Sequence, residues 1–214
     1  MDPKLGMGGT MTATTALRSE HETILAVIAC LRAACGAADH SKGFDAETFR
    51  LGIDFIRGYA DGWHHAKEEV HLFPALTAAG MPSDGGPVGV MLHEHEIGRS
   101  YVHAMSASLE PATAGDDDAR KALVRAALAY ADLLEAHIAK EDGILFEMAD
   151  RILPENEQLR IQRAYQTAIP DGATTETGIE FERLAHTLCE RWNLDPNAVR
   201  SRPIHGGCDV GHHG

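Results

Sequence analysis

Four stretches of this chain repeat apolar residues at three-four spacing, and each interrupts its stripe with histidine, or with histidine and glutamate one turn apart. The densest interruption is W-H-H-A-K-E-E-V-H-L-F, Trp63 to Phe73, where three histidines and two glutamates sit between large apolar groups. On a helix, His64 and Glu68 share a face and His71 comes one turn later. The first stretch, about Thr14 to Cys35 and closed by Gly36, turns Leu17, His21, Ile24, Ile28, Leu31 and Cys35 inward. The second, about Ala46 to Ala79, presents Ile53, Ile56, Ala60, His64, Glu68, His71 and Ala75. Its Gly52, Gly58 and Gly62 lower helix propensity, and either permit close helix approach or sit at the surface. The third, Val88 to about Leu109, presents Val88, Met91 or Leu92, His95, Val102, Met105 and Leu109. The fourth, about 119 to 150, presents Leu123, Ala127, Tyr130, Leu134, His137, Glu141, Ile144 or Leu145, and Met148.

No strand-like alternation of useful length occurs, so the expected class is all-α: an up-down-up-down four-helix bundle over residues 13–152. Residues 1–12 are expected to be disordered. Two shorter helices, about 155 to 168 and 177 to 192, make a C-terminal extension over 153–193, and 194–214 is expected to be a flexible tail. At 214 residues one compact domain suffices, and 44% apolar residues can build its core.

A formal charge of −13 argues against nucleic acid and against an anionic membrane surface as partners. No uninterrupted apolar run approaches the roughly 20 residues that span a bilayer, and Met1 to Thr15 lacks the apolar segment of a secretory signal. Cys30, Cys35, Cys189 and Cys208 follow no disulfide or zinc spacing, so reduced thiols in a cytoplasmic protein are expected. Whether the chain is a monomer or a homodimer is left open.

The topology brings the polar interruptions together. In an up-down-up-down bundle, the starts of the first and third helices share one end with the later halves of the second and fourth. His21, His64, Glu68, His95, His137 and Glu141 therefore fall in one layer, on faces otherwise held by Leu, Ile, Val and Met. Burying such groups without a cation carries a large desolvation penalty, which coordination removes. Four imidazoles and two carboxylates suit a pair of iron or manganese ions, which the carboxylates could bridge; one zinc ion needs fewer ligands.

These residues carry a family resemblance. The S-E-H-E at His21, H-H-A-K-E-E-V-H-L-F-P-A-L, M-L-H-E-H-E-I-G-R and H-I-A-K-E-D-G-I-L-F resemble the hemerythrin family, in its bacterial HHE cation-binding branch, over about residues 12 to 150. The resemblance implies a hemerythrin-like fold and two iron ions in an Fe-O(H)-Fe centre, with manganese as the alternative metal. The implied ligands are His21, His64, Glu68, His95, His137 and Glu141, with Glu68 and Glu141 as bridges. Oxygen-carrying relatives place a fifth histidine where this chain has Arg99, and an aspartate at the spacing of Asp142. Candidates to fill in are His65, Glu69, His71 and His103. His71 lies about 10 Å along the helix from His64 and reads as a layer neighbour. His65, His93 and Glu69 are offset around their helices, toward an outer layer or solvent. Arg99 either pairs with a carboxylate or points outward, and Tyr130 either donates near the site or packs in the core. His205, Cys208, His212 and His213 read as a polar end.

The function implied is a nonheme diiron protein that binds O2, NO or peroxide for sensing, storage or protection. The alternatives are a diiron enzyme, for peroxide or NO detoxification or oxidation of a small organic substrate, and an iron-storage or structural metal protein.

Overall fold

A computed structural model of the chain describes residues 12–38, 43–167 and 175–195. Expectations for residues 1–11 and for the tail beyond 195, including His205, Cys208, His212 and His213, lie outside the described residues. Six helices and no strand occur among those described: α1 (Ala13–Ala38), α2 (46–78), α3 (Pro87–Thr113), α4 (117–152), α5 (Glu155–Thr167) and α6 (Thr175–Trp192).

Several boundaries differ from the expected ones. Gly36 does not close α1, which continues to Ala38; one helical glycine costs only about 1 kcal/mol relative to alanine. The connection expected over 110–118 shrinks to 114–116, because α3 runs on through Pro111. Asp116 starts α4 by accepting from the backbone N–H groups of Asp118 and Ala119 at 2.9 and 3.0 Å. Asp45 caps α2 in the same way through Thr48.

Two helices also depart from regular winding. Ile56–His65 and Glu68–Leu72 in α2, and Glu141–Leu145 in α4, are wound as π-type turns with i→i+5 hydrogen bonds. More residues per turn rotate the downstream part of each helix. Leu72 and Leu145 take the inward places beyond the two glutamates, whereas His71 is half-buried and Ile144 and Met148 are exposed.

The core is two apolar blocks separated by a polar layer. One block gathers Ile24, Ile28, Phe55, Ala60, Met105 and Leu134; the other gathers Leu17, Leu72, Phe73, Met91, Leu145 and Phe146. In every long helix the histidine lies between a residue of one block and a residue of the other. By length and composition α1 alone, among the described residues, is apolar enough to cross a bilayer, but half of that stretch is buried inside the protein.

The C-terminal helices pack on the bundle, one against each block. Ile161 and Tyr165 of α5 join the second block, and Ala185, Leu188 and Cys189 of α6 join the first. The side chain of Gln158 accepts from the Ala13 N–H at 2.9 Å, and Trp192 Nε1 donates to Thr48 Oγ1 at 3.0 Å. Gly52 and Gly58 of α2 serve close approach, whereas Gly62 is exposed: a Cβ on Gly52 would lie 2.6 Å from Leu31, and one on Gly58 only 1.9 Å from the Phe181 ring. That ring cannot swing away freely, because Phe55 and Tyr59 flank it.

Gly58→Ala is therefore expected to destabilise the fold by about 1–2 kcal/mol, overpacking outweighing the helix-propensity gain. In a Phe181→Ala background the same change becomes neutral or stabilising. Thermal unfolding of the four proteins checks this, and additive effects would mean that α6 does not sit on α2 at this point.

Candidate metal centre

The four helices deliver their histidines in two facing pairs. His21 of α1 and His64 of α2 bring their Nε2 atoms to 3.0 Å; His95 of α3 and His137 of α4 bring theirs to 3.2 Å. Each glutamate straddles both pairs. Glu68 has Oε1 3.6 Å from His64 Nε2 and Oε2 3.5 Å from His95 Nε2. Glu141 has Oε2 3.1 Å from His21 Nε2 and Oε1 3.3 Å from His137 Nε2. None of the six residues is more than 2% exposed.

The outer face of every imidazole is held by a carboxylate. Asp142 accepts from His21 Nδ1 at 2.9 Å, Glu20 from His64 at 3.0 Å, Glu69 from His95 at 2.7 Å and Glu94 from His137 at 3.0 Å. An ionised carboxylate only accepts, so each Nδ1 carries the proton and each Nε2 offers a lone pair to the interior. Two pairs of inward-facing lone pairs thus meet four carboxylate oxygens, and neither Glu68 nor Glu141 has a hydrogen-bond partner in proper geometry.

The titration of the layer reflects that conflict. Burial, reinforced by the nearby Glu141 charge, pushes the Glu68 carboxyl well above the usual carboxylate range. Burial opposes the Glu141 charge too, but His137 and His21 hold its pKa well below that range. Burial takes His64 down to about 4. His21 goes the other way, to about 9, because Asp142 and Glu141 outweigh its burial. His137 also rises, Glu141 and Glu94 outweighing its burial, but both raised imidazoles face Glu141 and leave the Glu68 oxygens without a donor. Cations among these atoms answer both the charge and the bare lone pairs, so the donor set fits metal ions. Two groups of donor atoms each lie within 4.8 Å of one another: His21, His64, Glu68 and Glu141, and His65, Glu68, His95 and His137.

The secondary candidates fall into clear places. His65, expected to lie toward an outer layer or solvent, is 5% exposed and turned to the second group; the π-type winding of Ile56–His65 puts two successive histidines inside. Glu69 and Asp142 hold imidazoles from outside. Arg99 neither pairs with Glu68 or Glu141 nor points freely outward, but donates to Asp61, Glu69 and Glu96. His71 lies beside Tyr165 with ring centroids 5.9 Å apart, away from the donor groups, and His93 is exposed. Beside the second group lies a cavity of about 250 Å³, whose walls include His65, His95, His137, Arg99, Tyr130 and the otherwise exposed His103.

Glu20, Glu94, Lys67 and Lys140 are site residues that the apolar periodicity does not point to. Lys67 binds Glu20 and Lys140 binds Glu94. Trp63 Nε1 also donates to Glu20 at 2.9 Å, beneath the Lys67 ammonium 4.2 Å from its ring. An internal repeat is the signal that marks them: E-H-E stands at 20–22 and 94–96, and H-x-A-K-E at 64–68 and 137–141. Each half supplies one carboxylate to hold a histidine from its partner helix.

The profile of the Hemerythrin HHE cation binding domain matches residues 12–149, well over half of the chain. The chain belongs to the hemerythrin HHE cation-binding family. The hemerythrin match ends within α4, so α5 and α6 are additions to the matched domain. Three curated relatives, uncharacterized proteins of Mycobacterium bovis and of two Mycobacterium tuberculosis strains, are each 27% identical over 136 residues. That alignment covers 64% of this chain and 52% of theirs, so the chain spans about half the length of the curated relatives it matches. No solved structure matches.

Two outcomes are expected of this hemerythrin-family centre. Glu20→Gln and Glu94→Gln should each lower metal affinity by about 10–100-fold with helix content unchanged, as measured by competition with a chelator. In metal-free protein at neutral pH, Glu68→Gln should raise stability by about 1–3 kcal/mol, because it removes a carboxyl that folding forces either to stay charged without donors or to take up a proton. A carboxyl whose folded pKa is raised costs most above that pKa and nothing below the ordinary value of 4.5. The gain should therefore shrink as pH falls toward that value, which denaturant unfolding at several pH values would track.

Proposed function

We propose that this chain is a nonheme diiron protein that binds O2, or the related ligands NO and peroxide, for sensing, storage or protection in the cytoplasm. The main support is the straddling of two histidine pairs by two carboxylates, each with one oxygen toward each pair. One ion needs no such duplication, whereas two neighbouring ions sharing bridging carboxylates do. The same convergence supports an up-down-up-down course for the four long helices, since early residues of α1 and α3 meet late residues of α2 and α4. Iron held by these donors supplies one-electron redox chemistry and a place for a small ligand; manganese suits the same donors.

The protein's own groups have separate tasks. The four outer carboxylates fix the imidazole tautomers; His64 and Lys67 keep Glu20 ionised, and Lys140 and His137 keep Glu94 so, both pKa values lying below normal despite burial. The apolar blocks above and below exclude water from the layer. Tyr130, whose phenol burial pushes far above its usual pKa, keeps its proton at the cavity wall.

The cavity favours the enzymatic reading as the second one. Its volume of about 250 Å³ exceeds the need of a diatomic ligand and admits a small organic molecule beside the His95–His137 pair.

Metal analysis on protein purified without added metal should return two ions per chain, and His64→Ala should lose both because Glu68 and Glu141 are shared. Reduced protein exposed to O2 should develop a visible absorption band that disappears when O2 is withdrawn. Rapid decay of the band with consumption of a co-substrate would instead support the enzyme. A single ion with no spectral response would sink both.

A further inference from the structure

The internal repeat pairs the two halves residue by residue around the layer and breaks at one informative place. The residue after the α2 histidine is His65; its counterpart after the α4 histidine is Ile138, buried in the apolar core with 2% exposure. His65 is 5% exposed, and its Nε2 has no hydrogen-bond partner. Its Nδ1 lies 3.4 Å from Asp61 Oδ1, the same carboxylate-outside arrangement that the other four imidazoles show. A buried imidazole lone pair without a donor is unfavourable where a plain packing position can be filled by an aliphatic side chain, as Ile138 does.

We propose that His65 is itself a metal ligand, supplying a third imidazole to the ion held by His95, His137 and Glu68. This rests on the dinuclear reading above. A donor atom of His65 lies within 4.8 Å of those of the other three residues. Its ring stacks on His95 with centroids 3.7 Å apart and planes at 16°, which keeps the two imidazoles in register. Arg99 ties their outer partners together, donating to Asp61 at 3.0 Å behind His65 and to Glu69 at 2.7 Å behind His95. Arg99 thus acts as a positioning residue for two imidazoles at once. The two ions are then unlike: five imidazoles divide three and two, and the three-imidazole ion is the one beside the cavity. That ion devotes one more coordination position to the protein, so the two ions differ in affinity.

The test uses the full chain loaded anaerobically with Fe(II) alone, wild type beside His65→Leu and His65→Gln, with circular dichroism to confirm folding. Chelator competition should show the ion at His95 and His137 weakened about 10–100-fold in the variants, and the other ion weakened less, through the shared glutamates. X-ray absorption on the wild type should count five imidazoles over two ions. Two ions of unchanged affinity in either folded variant, or four imidazoles in the wild type, would overturn the proposal and leave His65 as a stacked neighbour. If neither variant folds, the wild-type imidazole count decides alone. Failure of the wild type to load two ions would instead bring down the dinuclear reading, and this proposal with it.

Discussion

Two carboxylates sit between two pairs of imidazoles in the middle of an otherwise apolar bundle, and no oxygen of Glu68 or Glu141 has a hydrogen-bond partner in proper geometry. Bringing such groups out of water costs several kcal/mol per charge unless something inside compensates it. The rest of the bundle is arranged around that compensation. Apolar blocks close the layer on both sides, and the π-type turns that begin at Glu68 and Glu141 let both helices carry an inward glutamate and then an inward leucine. A layer of this kind is a poor way to stabilise a fold and a good way to hold cations.

Outside the donor atoms lies a second arrangement that is nearly two-fold. Glu20 and Lys67 do for one pair what Glu94 and Lys140 do for the other, and Asp142 and Glu69 complete the set. The symmetry is imperfect at Glu20, where Trp63 also donates, and fails outright on one flank. There α2 carries Asp61 and His65 and α3 carries Arg99, and there the cavity opens. The break in the repeat and the cavity thus fall on the same side of the layer, beside the His95–His137 pair.

The C-terminal helices extend this protein beyond its matched domain without touching the donor groups. Tyr165 of α5 stands beside His71 and 5.7 Å from the Lys67 ammonium, while α6 covers the opposite apolar block through Phe181 and Trp192. Both bear on the centre through the packing of α1 and α2, and α5 also through Tyr165, whose pKa burial and the Glu68 and Glu20 charges push up.

The residues alone reveal the period of the apolar stripes and the places where it breaks. An apolar face must go inward, so its stripe commits each of His21, His64, Glu68, His95, His137 and Glu141 to the interior, and connection lengths bring them to one depth. The outer carboxylates are legible in principle, since the repeated E-H-E and H-x-A-K-E spacings announce them, but which imidazole each one holds depends on neighbouring helices. His65 is illegible: at regular winding it points off the seam, and only the wider turn of α2 packed against His95 turns it in. The sequence periodicity determined most of the buried face because burial follows the helix face, failing at His65, His71, Ile144 and Met148, where the winding changes. Only the tertiary structure decided which buried donors face each other, because that depends on local winding and on the partner helix, neither of which a single stripe encodes.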